Sequence, residues 1–86
     1  MSDLEFHVMD EVYFLCSFSQ LLSDLGCNEE LLNDTLIELL RKDFIQQLEY
    51  SEEEGDYIKL DTPDFSKVKA CSYVATKKGL LEHNAK

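Results

Sequence analysis

Apolar residues recur at helical spacing from the start of the chain. Val8, Val12 and Leu15 are separated by four and three positions, so residues 4–15 are expected to form a helix. Phe6, Met9 and Tyr13 make a second stripe beside the first. That helix is apolar around more of its girth than one small core needs, as in a central helix or an oligomer contact. The expectation drawn from it is a homodimer in which Phe6, Met9 and Tyr13 take part.

A second helix is predicted over 18–25. Ser17 and Gln20 have capping-box spacing, Phe18, Leu21, Leu22 and Leu25 follow at helical intervals, and Gly26 is placed to end the turn. Asn28 can cap a third helix over 29–42, with Glu29 and Glu30 in the first turn and Arg41 and Lys42 in the last, as the macrodipole prefers. Its buried stripe is Leu32, Leu36, Leu39 and Leu40. Beyond Phe44 the period shortens to two. Strands are expected over 45–50, 57–60 and 68–75, with turns at Ser51–Gly55 and Thr62–Asp64. Thr76 looks like the cap of a closing helix over 77–83. Leu21, Leu25, Leu32, Leu36, Leu39, Phe44 and Tyr73 are the candidate core.

The 86 residues fit one α+β domain spanning 1–86. A chain of this size buries only about three-fifths of its unfolded surface, which leaves no room for an enclosed active site. Charged residues are 30% and apolar residues 44%, a globular balance. No apolar run is long enough for a bilayer, and the acidic start does not resemble a signal peptide. A soluble, cytoplasmic protein with no membrane partner is expected. Cys16, Cys27 and Cys71 have neither disulfide nor zinc spacing, and no nucleophile motif or phosphate loop occurs. The expectation is therefore no enzyme, no metal and no cofactor.

The net charge of −10 is unevenly spread. Residues 1–40 hold nine carboxylates and no Lys or Arg, whereas residues 41–86 hold nine carboxylates and all eight basic residues, Lys86 among them. Such a front half repels phosphate backbones.

The stretch Ser17–Ile45, SFSQLLSDLGCNEELLNDTLIELLRKDFI, resembles the helix-turn-helix of the winged helix-turn-helix family of transcription regulators. Gly26 sits at the turn glycine, and Leu32, Leu36 and Leu39 fall on the family's core positions. Lys42-Asp43-Phe44-Ile45 is similar to the family's basic-Gly-Leu-Ile exit into the first wing strand. Tyr73-Val74-Ala75-Thr76-Lys77-Lys78-Gly79 is similar to its Tyr-x-Leu-Thr-x-Lys-Gly segment. Leu22 stands in place of a common Ala, Thr35 in place of an apolar residue, and Asp43 in place of Gly at a position that wants positive φ. The resemblance implies a three-helix core, a C-terminal β-hairpin wing and a short closing helix.

It also implies that the third helix would present Asn28, Glu29, Glu30, Leu31, Asn33 and Asp34 to a major groove. Asn can read adenine and an acid can accept from cytosine. Yet affinity for DNA rests on cations that release counterions, and this face has none. Lys59, Lys67 and Lys69, on or beside the wing, are the candidate phosphate contacts. They share the wing with Glu52, Glu53, Glu54, Asp56, Asp61 and Asp64. The expected function is a small regulatory or adaptor protein that binds a protein partner through the acidic face. The alternatives are a DNA-binding regulator that uses the wing lysines, and an acidic DNA mimic that inhibits a basic protein.

Overall fold

Ser2 opens the fold. Its hydroxyl accepts the Glu5 amide at 3.2 Å and the Glu5 carboxylate accepts the Ser2 amide at 2.8 Å, a closed capping box. The computed structural model describes residues 1–84, so Lys86 lies outside the described residues. The elements run α1 (Asp3–Glu11), β1 (Cys16–Ser17), α2 (Phe18–Leu25), α3 (Glu29–Arg41), β2 (Ile45–Ser51) and β3 (Asp56–Lys59). A 3-10 helix (Phe65–Ala70), β4 (Ser72–Ala75) and α4 (Lys77–Asn84) complete the α+β order.

α1 is shorter than the expected 4–15. Its C-cap is Val12, whose carbonyl accepts the Ala75 amide of β4 at 2.8 Å. A carbonyl committed to a strand cannot also continue the helix, so Tyr13, Phe14 and Leu15 leave it and are exposed. The expected stripe therefore loses Leu15, and Val8 and Val12 enter the core with Met9 instead.

β1 was not foreseen. It lies antiparallel to β4, with Cys16 opposite Tyr73 and Ser17 opposite Ser72. Ser17 then turns the chain into α2, its hydroxyl accepting the Gln20 amide at 3.1 Å. Only this half of the expected box forms, because the Gln20 side chain donates to Asp24 at 2.7 Å. Gly26 ends α2 in the left-handed region, and Asp43 takes the same conformation after α3, each at φ 61°. Asp43 thus does what its place in the sequence predicts.

The four strands form one antiparallel sheet in the order β1-β4-β2-β3. The expected strand 68–75 starts only at Ser72, because Asp64 begins a 3-10 helix there. The Asp64 carboxylate accepts the Ser66 amide at 3.0 Å and its carbonyl accepts the Lys67 amide at 3.2 Å. That helix inserts Val68 into the core, where the buried Tyr73 hydroxyl donates to the Val68 carbonyl at 2.6 Å.

The core lies between the helices and one face of the sheet. It holds Leu21, Leu32, Leu36, Leu39, Phe44 and Tyr73 as expected, while Leu25 is only half-buried at its edge. Each fully buried leucine contributes roughly 1.5–3 kcal/mol. Thr35 is tolerated in this core because its hydroxyl donates back to the Leu31 carbonyl at 2.8 Å. Gln47, also buried, ties the loop after β3 to β2: its side-chain carbonyl accepts the Asp64 amide at 2.7 Å and its amide donates to the Asp64 carbonyl at 3.0 Å.

α4 closes the structure. The Thr76 hydroxyl accepts the Gly79 amide at 2.9 Å and donates to the Asp43 carbonyl at 2.7 Å. Gly79 lies directly against the Phe44 carbonyl, an approach that no side chain would permit. Farther along, buried His83 meets the Asp10 carboxylate at 2.7 Å and stacks at a tilt on Phe6, 4.2 Å between centroids.

Candidate acidic interface

Asn28 fixes the start of α3 and is used up in doing so. Its side-chain oxygen accepts the Glu30 amide at 2.8 Å and the Leu31 amide at 3.1 Å. Asn28 is thus the helix cap that its place in the sequence predicts. Glu29, Glu30 and Asp34 are exposed on the first turns, Asn33 is half-buried, and Leu31 is 53% exposed among the carboxylates.

The sequence suggested that no cation lies near this face, and the fold corrects that. Because residues 65–70 coil, Lys69 is carried to α3, where its ammonium lies 3.5 Å from the Glu29 carboxylate and hydrogen-bonds Glu30. The Glu30 hydrogen bond and both nearby carboxylates push the Lys69 pKa up, so it remains charged. One ammonium between two carboxylates leaves the start of α3 net negative.

Two of the three candidate phosphate contacts, Lys67 and Lys69, are already paired with carboxylates. Lys67 sits on the 3-10 helix, 3.3 Å from the Glu49 carboxylate, and that contact raises its pKa as well. Lys59 stays on β3, exposed and without an ion pair among the described residues.

The stripe assigned to an oligomer contact is also taken apart. Met9 is fully buried within its own chain. Phe6 is half-buried against His83, and the Tyr13 hydroxyl donates to the Asn84 side chain at 3.3 Å. The most exposed aromatic side chain is instead Phe14, at 84%.

Sequence reasoning overlooked an aromatic pair on the wing. Tyr50 and Tyr57 stand opposite each other across the β2–β3 hairpin, ring centroids 5.3 Å apart and edge to face. Both are exposed. They border an open groove of about 300 Å³ whose lining also includes Ser17, Phe18, Ser19, Lys69, Cys71 and Ser72. The alternation of Leu48 and Tyr50 signalled the strand, but only the hairpin register brings the two rings together. Nothing local in the sequence ties Lys69 to Glu29 and Glu30, since a 3-10 helix places them.

Burial leads the influences that push the Cys16 and Cys71 thiols up, which makes them poor nucleophiles. No cluster of three or more His, Cys, Asp or Glu among the described residues is placed to hold a metal ion. No helix among the described residues is long and apolar enough to cross a membrane. Glu11 is held above its ordinary value, chiefly by a hydrogen bond to the Asp24 carboxyl, a measure of how densely acids crowd the ends of α1 and α2.

Compared with protein-family models, with curated proteins and with solved structures, the chain shows no significant match to any of them.

Proposed function

We propose that the chain is a winged-helix module that works as a non-enzymatic regulatory or adaptor protein. Its α3 face binds a protein partner through carboxylates set around an exposed leucine. The observation that carries this reading is that Glu29 and Glu30 already absorb Lys69, the one lysine among the described residues that reaches them. A duplex docked on α3 would meet Glu29, Glu30 and Asp34 with no free ammonium beside them, and phosphate affinity needs free cations. The winged-helix part of the reading is supported by the α2-turn-α3 pair joined through left-handed Gly26, the left-handed Asp43 exit, and the β2–β3 hairpin.

Two measurements test it. Random-sequence duplex DNA, followed by anisotropy at physiological salt, should bind more weakly than about 10⁻⁴ M. The Glu29→Gln, Glu30→Gln, Asp34→Asn variant should bind no better. A photo-crosslinking side chain at position 31 should give discrete protein adducts in cells that the triple change abolishes. Tight DNA binding by the wild type, weakened by the triple change, would mean that the carboxylates read bases.

A further inference from the structure

The groove between the wing tyrosines and the start of α2 is flanked by charges that select its occupant, and Lys69 reaches from its edge to the first turn of α3. Among the described residues, Lys69 is the only lysine or arginine that borders it. That ammonium is held by Glu29 and Glu30 at one end, and the turn beside the other end carries Glu52, Glu53, Glu54 and Asp56. An anionic segment would meet carboxylates at both ends, whereas a basic one is complementary to both. Tyr50 and Tyr57 add exposed aromatic rings, and such rings attract Arg and Lys side chains that come within about 6 Å. The same chain already holds Arg41 over the Phe65 ring at 5.5 Å.

We propose that this groove and the first turn of α3 together seat a basic segment of a partner protein, and that Lys69 holds the seat until the segment displaces it. The proposal rests on the acidic-face reading above and adds both the class of partner and the competitor built into the chain. An incoming Arg or Lys takes over Glu29 and Glu30, the side chain of Lys69 swings into solvent, and a neighbouring cation settles on Tyr50 and Tyr57. Occupancy by Lys69 makes the interaction weaker than the same carboxylates would give alone, because the partner must first break that contact.

The test uses the full chain, isotopically labelled, titrated with a short peptide of alternating arginine and serine and with its glutamate–serine counterpart. The arginine peptide should shift amide resonances at 17–19, 50, 57 and 69–72 as well as on α3. Tyr50→Ala and Tyr57→Ala should each weaken it by about two- to fivefold. Lys69→Ala should tighten it several-fold, a gain that a damaged fold would not produce. Lys67→Ala removes the same charge from Glu49 and should gain less. The inference falls if Lys69→Ala gains no more than Lys67→Ala, or if the glutamate peptide takes the groove. It also falls if the shifts stay on α3 and the tyrosine variants bind like wild type, an outcome that leaves the acidic-face reading standing. A position-31 crosslinker that captures no protein in the otherwise unchanged chain, alongside intact groove binding, would overturn the acidic-face reading instead.

Discussion

The Lys42 ammonium, just past the last turn of α3, lies 2.9 Å from the Glu5 carboxylate of α1. Glu5 therefore does two things at once: it completes the capping box at Ser2 and it joins two core helices. Burial alone would push its carboxyl up. The Ser2 amide, Lys42 and the Ser2 hydroxyl outweigh that, and the group sits below its ordinary value of 4.5. A carboxylate depressed in the folded state adds stability that is present above the unfolded value and is lost as pH falls through the folded one. Unfolding free energy should thus decline as pH drops below about 4.5. Glu5→Gln should flatten part of that decline and lower stability at neutral pH, since the buried carboxylate loses its charge towards the half-buried Lys42. Asp64, depressed by its hydrogen bonds to Ser66, should leave a residual slope. Urea titrations of both proteins across the acid range decide it, and parallel curves would count against the Glu5 assignment.

Gly79 offers a reversal of sign. Replacing a helical glycine by alanine ordinarily gains about 1 kcal/mol. Here the added methyl would overlap the Phe44 carbonyl oxygen and come within 2.9 Å of the Met9 side chain. Gly79→Ala should instead lose roughly 1–3 kcal/mol, the usual range for overpacking. A rise in the melting temperature would show that α4 does not press on the α3–β2 junction.

Asp43 should respond in the opposite way. Its φ of 61° is strained for a residue with a side chain. Asp43→Gly relieves the strain but frees the unfolded chain, so the net gain should be a few tenths to about 1 kcal/mol. Asp43→Ala keeps the strain and should gain nothing. Equal effects of the two substitutions would remove backbone conformation as the cause.

Tyr73 tests the buried polar links. Its hydroxyl donates to the Val68 carbonyl and receives the Gln47 amide at 3.4 Å. Tyr73→Phe should cost about 1–3 kcal/mol, because the Val68 carbonyl loses its donor inside the protein. Burial, foremost among the influences on this phenol, pushes its ionisation upward. In an alkaline titration, the difference spectrum between wild type and Tyr73→Phe should therefore appear only with unfolding. A reversible signal before unfolding would contradict the buried placement.

What was legible in the sequence is what local chemistry controls. Asn28, Ser17 and Thr76 cap helices where their spacing says they should, Gly26 and Asp43 adopt the left-handed region, and the α3 leucines face inward. What escaped was set by distant partners. Ala75 ends α1 by taking the Val12 carbonyl, and Tyr73 draws Cys16 into a strand too short to show a period. Asp64 turned a stretch with strand-like residues into a 3-10 helix, which moved Lys67 and Lys69 off the wing. The acidic character of the α3 face could be read directly. The lysine lodged in it and the tyrosine pair beside it could not, since both depend on register.

The pairing of Cys16 with Tyr73 has a consequence for how the molecule forms. β1 touches β4 alone in the sheet, and the Asp10–His83 contact spans 73 residues of sequence. The early segment thus has no lateral partner until the late one arrives. Closing so wide a loop costs entropy before any contact repays it, and topologies of this kind assemble slowly. On a ribosome, Cys16 and Ser17 would leave the exit tunnel long before residues 72–75, and the Val12 carbonyl would wait with them. Completion of the sheet therefore waits for residues 72–75, and a chain stalled before Ser72 would display the unsatisfied edge that β4 covers in the finished fold.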